Sequence, residues 1–357
     1  MTDFWAGRRV LVTGHTGFKG GWLSLWLQRL GAEVTGFSAP PPTEPSLFAL
    51  ARVGEALADV RGDVRDRAAV EAAVRGARPD VVLHLAAQPL VRRAWREPLD
   101  AFAINALGTG HVLDAVRAHA EGAAVVVVTT DKVYADPDSG RRFREGDPLG
   151  GKDPYSASKA AAELVAAAYR DSYGLRVATA RAGNVIGGGD WAEDRILPDA
   201  VRAAEAGRPL VVRAPEALRP WQHVLNPLSG YLRLAERLTG SEAFAAAWNF
   251  APPLDAPQRS VGWLVERFAQ ALGGRLELAA PAVPDGPLEA ARLALDPTLA
   301  AERLGWEERW PLERGVDAAA EWYRRVVFER GDAREATLAQ IAEFEAAPAA
   351  QPRASGG

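Results

Sequence analysis

The chain has no cysteine and a single methionine, and of its 42 lysines and arginines only four are lysine: Lys19, Lys132, Lys152 and Lys159. Without cysteine there is no disulfide, no thiolate nucleophile and no cysteine zinc site, a composition suited to a reducing cytoplasm. The five histidines (His15, His84, His111, His119 and His223) show no ligand spacing, so no metal is expected. No run approaches the ~18 apolar residues of a membrane span. The first strand is expected by about Val10, which leaves no room for a secretion signal. A net charge of −4 gives no electrostatic reason to expect nucleic acid or an anionic membrane. The shortage of lysine is informative in its own right. Arginine stays charged, whereas lysine can lose its proton, so the positions that keep lysine are candidates for chemistry.

What the sequence does have is a soluble globular balance, 48% hydrophobic and 25% charged, and a strand-turn-helix passage near its start. Val10-Leu11-Val12-Thr13 runs into Gly14-His15-Thr16-Gly17-Phe18-Lys19-Gly20, and the helical pattern Trp22, Leu23, Leu25, Trp26, Leu27, Leu30 follows without a gap. Glycines at 14, 17 and 20 let the chain turn tightly, bring backbone N–H groups close to a pyrophosphate, and let the helix pack on the sheet. The passage predicts a dinucleotide seat.

Strands are expected at Glu33–Ser38, Leu57–Val60, Asp80–Ala87, Ala124–Val128 and Arg176–Arg181. Helices are expected from Asp66 to Ala77, from Pro98 to Ala118 and from Tyr155 onward. A proline-rich loop with Pro40, Pro41, Pro42 and Pro45 follows the second strand. Alternating strands and helices predict an α/β fold with a doubly wound parallel sheet and ligands at the carboxyl ends of its strands. Residues 1–185 are assigned to the dinucleotide domain and 186–345 to a smaller mixed lobe, with 225–250 allowed to return to the sheet. In the lobe, Arg195-Ile196-Leu197-Pro198 opens a helix, and Leu210–Arg213 and Arg219–Val224 read as short strands. Residues 346–357 read as a disordered tail.

Two strand ends carry polar residues that packing does not need. Ala124–Val128 leads into Thr129-Thr130-Asp131-Lys132, and Tyr155 and Lys159 lie four apart on one helix face. A phenol with a reference pKa near ~10 needs about 4 kcal/mol to work as a base near neutrality. A cation at ~4 Å in an effective dielectric of ~20 supplies about that much.

In the Gly14/Gly17/Gly20 turn, Asp63-Val64 after the third strand, Leu85-Ala86-Ala87 ending the fourth, Asn105 in the next helix, Thr130, and Tyr155 with Lys159, the sequence resembles the extended short-chain dehydrogenase/reductase family over nearly its whole length. The resemblance implies a Rossmann sheet with a C-terminal substrate-binding lobe. It also implies NAD, held by Gly14, Thr16, Gly17, Phe18, Gly20, Ser38, Asp63, Val64, Leu85, Ala86, Ala87, Asn105, Tyr155 and Lys159. Within the family, the Gly14–Gly20 turn, Pro41–Phe48, Thr130-Asp131-Lys132-Val133-Tyr134 and Arg219-Pro220-Trp221-Gln222-His223-Val224 are similar to a sugar-nucleotide dehydratase branch.

That similarity implies a lyase that oxidises a hexose at C4, eliminates water across C5 and C6, and returns the same hydride at C6. It makes Tyr155 the base for the 4-hydroxyl, and Lys159 the residue that lowers its pKa and holds the ribose. Thr130 bonds near the 4-oxygen, Asp131 is the acid for the 6-hydroxyl, and Lys132 the base at C5. Gln88, Asn184, Arg195, Arg219 and His223 are the implied sugar-nucleotide contacts, arginine because its fork matches phosphate. The Asp131-Lys132 pairing points to the branch that takes CDP-glucose, although some inverting UDP-sugar dehydratases share it. A 4-epimerase of the same fold has no use for an acid and base at C5 and C6, and a non-catalytic NAD scaffold has no use for Tyr155 with Lys159. One departure is Ser38, which stands where an acidic residue ordinarily meets the adenosine ribose. With no lysine or arginine between Ser38 and Arg52 to meet a 2′-phosphate, NAD remains the expectation. The family further implies a homodimer or a dimer of dimers, pairing through Leu99–Ala118 and Ala157–Ala168.

Overall fold

The computed structural model describes residues 2–135, 140–212, 214–279 and 293–348. Its centre is a seven-stranded, wholly parallel sheet. In chain order the strands are β1 (Arg9–Thr13), β2 (Glu33–Ser38), β3 (Ala58–Arg61), β4 (Val81–His84), β5 (Ala124–Val128), β6 (Val177–Ala182) and β7 (Ala247–Phe250). They lie in the spatial order β7-β6-β5-β4-β1-β2-β3. The order reverses between β1 and β4, so the loops leaving these two strands diverge and open a crevice at their carboxyl ends.

The continuous apolar character of β1, β4 and β5 follows from burial on both faces. Val10 and Val12 of β1 pack in one core and Leu11 in the other; Val126 and Val128 of β5 are likewise divided from Val125 and Val127. The helices that matter for the site are α1 (Phe18–Arg29), α2 (Arg67–Ala77), α3 (Gly108–His119), α4 (Pro154–Tyr173), α5 (Ile196–Glu205) and α6 (Leu225–Gly240). Asp66 caps α2 by accepting from the Ala68 and Ala69 amides, and Asp153 caps α4 by accepting from Ser156.

Four expectations are corrected in detail. The strand expected over Asp80–Ala87 is Val81–His84, and Leu85, Ala86 and Ala87 belong to the loop after it. The helix from Pro98 is continuous to His119 but passes through a π-helical stretch, Ala103–Leu107. The third strand is displaced by one residue to Ala58–Arg61 and is an exposed edge. The single strand expected over Arg219–Val224 is two: Leu218–Arg219 pairs with Arg259–Ser260, and Gln222–His223 with Val185–Ile186. Pro220, which has no amide hydrogen to give a ladder, separates them. Of the strand expected at Leu210–Arg213, Leu210–Val211 is formed and Arg213 lies outside the described residues. The expected tail likewise lies, from residue 349, outside them, after a helix over Ala333–Ala346.

Candidate active site

The crevice at the carboxyl ends of the strands is a cavity of about 1270 Å³. Pockets for one small molecule run to ~1,000 Å³, so this one has room for a dinucleotide and a second ligand together. One wall is the turn between β1 and α1. Gly14 has φ +79°, and a Cβ there would stand 2.7 Å from the Ala86 amide nitrogen; at Gly20 it would stand 2.1 Å from the Gly14 carbonyl oxygen. Packing therefore demands glycine at both positions. At Gly17 a Cβ would meet only the Gly14 oxygen, at 3.4 Å, so what glycine keeps clear at this cavity-lining position is ligand space.

The turn is locked to the sheet by buried polar contacts. His84 Nδ1 and Thr13 Oγ1 are 2.7 Å apart, and His84 Nε2 lies 3.1 Å from Thr109 Oγ1. Thr109 spends its hydrogen on the Asn105 carbonyl, so it must accept from His84. The imidazole is thus neutral with hydrogen on Nε2, and burial with the nearby Lys159 charge pushes its pKa down to about 3.

At the adenosine end, Thr16 Oγ1 donates to the Ala39 carbonyl and lies 2.8 Å from Ser38 Oγ. The position that sequence reasoning left without a cation has one after all. Arg61 sits beside Ser38 in the β2–β3 register, but its guanidinium is held by Asp59 at 2.7 Å and lies over the Phe48 ring. Asp59 in turn lies 2.9 Å from the buried His15 Nε2. A glycine cradle, a hydroxyl pair for the ribose and an arginine already committed to a carboxylate fit NAD. Asp63, Val64, Leu85, Ala86, Ala87 and Phe18 line the same cavity. Asn105 does not: it stands behind the wall, where its side chain accepts from the Gln88 amide and donates to Ser158 Oγ at 2.9 Å, so it fixes the loop after β4 rather than touching a ligand.

The reactive groups converge from β5 and α4. Thr130 follows β5 and caps the short turn Asp131–Val133, accepting from the Lys132 amide. Its hydroxyl donates to Asp131 Oδ1 at 2.9 Å. Asp131 is 1% exposed, its Oδ2 has no partner, and Lys132 Nζ lies 3.8 Å from Oδ1. On α4, Tyr155 and Lys159 face inward one turn apart. Lys159 Nζ donates to the Val128 carbonyl at 2.9 Å, and burial lowers its pKa to about 8 against the opposing pull of Glu163.

Burial raises the Tyr155 phenol; the Lys132 charge, the Thr130 side chain within hydrogen-bonding reach, and Arg195 pull it back down. The cation that counters burial at Tyr155 is foremost Lys132, the residue after the acid, whereas Lys159 is tied to the end of β5. Beneath them a buried network fixes both elements. Glu163 accepts from Thr129, Thr179 and Arg181, and Arg181 also donates to the Tyr134 hydroxyl at 2.8 Å.

Of the residues implied as sugar-nucleotide contacts, Gln88, Asn184, Arg195 and Arg219 line the cavity. Gln88 is turned onto Leu90, accepting from its amide and donating to its carbonyl. Asn184 Oδ1 is buried without a partner, and Arg195 Nε is 4.0 Å from Asp190. His223 is a correction. It is 0% exposed and packs against Trp22 and Trp310, with its pKa driven to about 3 by burial, so it is a neutral core residue. The sequence signal that misled was a polar aromatic beside Arg219; the tryptophans come from distant parts of the chain.

Lys19 lines the cavity without having been placed in it, although lysine scarcity had marked it. Burial and the charges of Arg195 and Lys159 bring its pKa to about 7. No cluster of metal-ligating side chains occurs among the described residues, and none of their helices is long and apolar enough to cross a membrane.

The family described as NAD dependent epimerase/dehydratase matches residues 10–247. CDP-glucose 4,6-dehydratase of Salmonella typhimurium is 42% identical over 335 residues, covering 90% of this chain and 92% of that protein. dTDP-glucose 4,6-dehydratase of Xanthomonas campestris is 29% identical, covering 88% and 92%. Among solved structures, dTDP-glucose 4,6-dehydratase from Streptomyces venezuelae with NAD bound superposes with a TM-score of 0.74 at 26% identity, over 88% of this chain and 97% of that one.

Proposed function

From the premise that this chain belongs to the NAD dependent epimerase/dehydratase family, we propose that it is a sugar-nucleotide 4,6-dehydratase that converts CDP-glucose to CDP-4-keto-6-deoxyglucose and water. The observation that carries the reading is the Asp131 carboxylate, buried with one oxygen unpartnered and 3.8 Å from Lys132, in the same cavity as Tyr155. An epimerase needs only the base. An acid and an amine beside it are what elimination needs.

NAD, when bound, accepts hydride from C4 and gives it back at C6. Gly14, Gly17 and Gly20 bring the backbone to its pyrophosphate, with Thr16 and Ser38 at the ribose. Tyr155 takes the 4-hydroxyl proton. Lys159, held against the Val128 carbonyl, orients that helix turn and the nicotinamide ribose. Lys132 removes the C5 proton and Asp131 protonates the departing 6-hydroxyl. Asn184, Arg195 and Arg219 meet the sugar nucleotide, arginine at its phosphates.

The protein acts in the cytoplasm as a homodimer or a dimer of dimers. Supporting the dimer, the helical segments around Pro98–Leu107 pack on α4, yet Leu99 there is 82% exposed and Leu164 on α4 is 61% exposed, an apolar surface for a second copy.

Incubation with CDP-, UDP-, GDP- and dTDP-glucose in turn, followed by mass spectrometry, tests the reading. CDP-glucose losing one water faster than the others is the expected result. An isomer of unchanged mass would make the protein an epimerase.

A further inference from the structure

The dehydration proposed above, on which this inference rests, releases one proton from O4 and consumes one at O6, and the groups that handle the two are different residues. Tyr155, Thr130 and Asp131 are 8%, 6% and 1% exposed, so each is reached only through the cavity they line, the space that bound substrate fills. The Thr130 hydroxyl stands between the two groups. It donates to Asp131 Oδ1 at 2.9 Å and lies within hydrogen-bonding reach of the Tyr155 phenol. Its place is fixed by the backbone, because the same oxygen caps the turn that carries Asp131 and Lys132. With its own hydrogen on Asp131, the Thr130 oxygen has a lone pair left to accept a proton from the phenol side.

We propose that the Thr130 hydroxyl passes the proton taken from the 4-hydroxyl onward to Asp131, so that oxidation at C4 arms the acid that expels water from C6. In the first step the C4–H bond breaks and its electron pair leaves as hydride to the nicotinamide dinucleotide, the oxidant. The O4 proton goes to Tyr155 Oη, the phenol's own proton to Thr130 Oγ1, and the threonine's proton to Asp131 Oδ1. A turn of that carboxyl O–H away from Thr130 points it into the cavity, which Asp131 lines. Lys132, entering this step as the neutral amine, then takes the C5 proton, the C5–C6 double bond forms, the C6–O bond breaks, and the Asp131 proton leaves with the hydroxyl as water. Hydride returns to C6 and the Lys132 proton to C5. All four side chains end as they began, with no proton drawn from solvent.

The charged and titratable groups facing this wire are Lys132 from the same turn, Lys19 from α1, Arg195 from the start of α5 and Tyr231 from α6. Tyr231 is wholly buried and its hydroxyl has no partner, so it does not offer a second route to solvent.

The test compares Thr130→Val, which removes the hydroxyl and keeps the shape, with Thr130→Ser, which keeps the hydroxyl. For Thr130→Val, turnover at neutral pH falls ~10²-fold, the scale of a lost proton-transfer group. Rapid quench then traps a 4-keto hexose that still carries its 6-hydroxyl, and elimination recovers as pH is lowered and Asp131 draws its proton from bulk. Thr130→Ser keeps the wild-type pH profile. In the cofactor-free protein, ultraviolet titration of the phenols, read against Tyr155→Phe, shifts in Thr130→Val and not in Thr130→Ser. A Thr130→Val enzyme with the wild-type pH profile overturns the relay, as does one blocked at C4 oxidation at every pH with an unmoved phenol titration. A wild-type protein that yields no keto sugar from any nucleotide hexose instead refutes the dehydratase reading, and the phenol titration still decides whether the wire exists.

Discussion

The Glu163 carboxylate meets the Arg181 guanidinium at 2.8 Å with both side chains almost wholly buried. Glu163 lies one turn beyond Lys159 on α4, and Arg181 is on β6, so the pair joins the catalytic helix to the sheet. Removing one member of such a pair strands the other charge. Glu163→Gln is therefore expected to cost about 3–5 kcal/mol of unfolding free energy in urea. It should also move the Lys159 pKa further below about 8, because Glu163 is the group that holds it up.

Tyr155→Phe removes the proposed base and is expected to leave the fold untouched, since the hydroxyl faces the cavity and the ring keeps its packing on Ala94 and Ala101. Turnover should fall ~10²–10⁴-fold. An unchanged thermal midpoint together with lost C4 oxidation is the expected pairing. Near wild-type turnover would mean that another group takes the 4-hydroxyl proton.

Lys132→Arg keeps the charge but gives no base. Oxidation at C4 should survive while solvent deuterium stops entering C5. Exchange at C5 at a near wild-type rate would remove Lys132 from that role.

Stability should fall off on both sides of neutral pH for identifiable reasons. His84 and His223 are buried with pKa values of about 3, against 6.5 when exposed. Between those values the unfolded chain binds more protons, so stability is lost as pH falls through that window. Glu308 is the opposite case, a buried carboxyl raised from 4.5 to about 8 mainly by burial, with its Oε1 3.1 Å from Asn226 Nδ2. Here the folded state binds the extra proton, so its contribution is complete below 4.5 and is lost as pH rises through about 8. Glu308→Gln should flatten the alkaline limb of a denaturation series and leave the acid limb unchanged.

If the exposed apolar surface around Leu99 and Leu164 covers a second copy, Leu164→Glu should convert the species seen by light scattering at micromolar concentration from dimer to monomer. A wild-type mass already equal to one chain contradicts the dimer.

What could be read from sequence was what depends on neighbours in the chain. β5 occupies Ala124–Val128 as its continuous apolar run requires, and the glycine turn lies where strand meets helix. The reactive groups at Thr130, Asp131, Lys132 and Tyr155 stood out because packing gives no reason for them at strand and helix ends. What was not legible depends on partners far along the chain. Arg61 reaches Ser38 only through strand pairing. His223 looks like a ligand contact until Trp22 and Trp310 enclose it. Asn105 is a polar residue near the cofactor wall whose hydrogen bonds are all spent on Gln88 and Ser158.

The central claim, that this chain eliminates water by borrowing and returning one hydride, is tested most directly by the fate of deuterium placed at C4 of CDP-glucose. Mixed with unlabelled substrate of distinct carbon mass, labelled molecules should give a 4-keto product with deuterium at C6 of the same molecule and one water lost. Deuterium that stays at C4 of an isomer, crosses to the other carbon skeleton, or washes into the free cofactor pool would contradict the account.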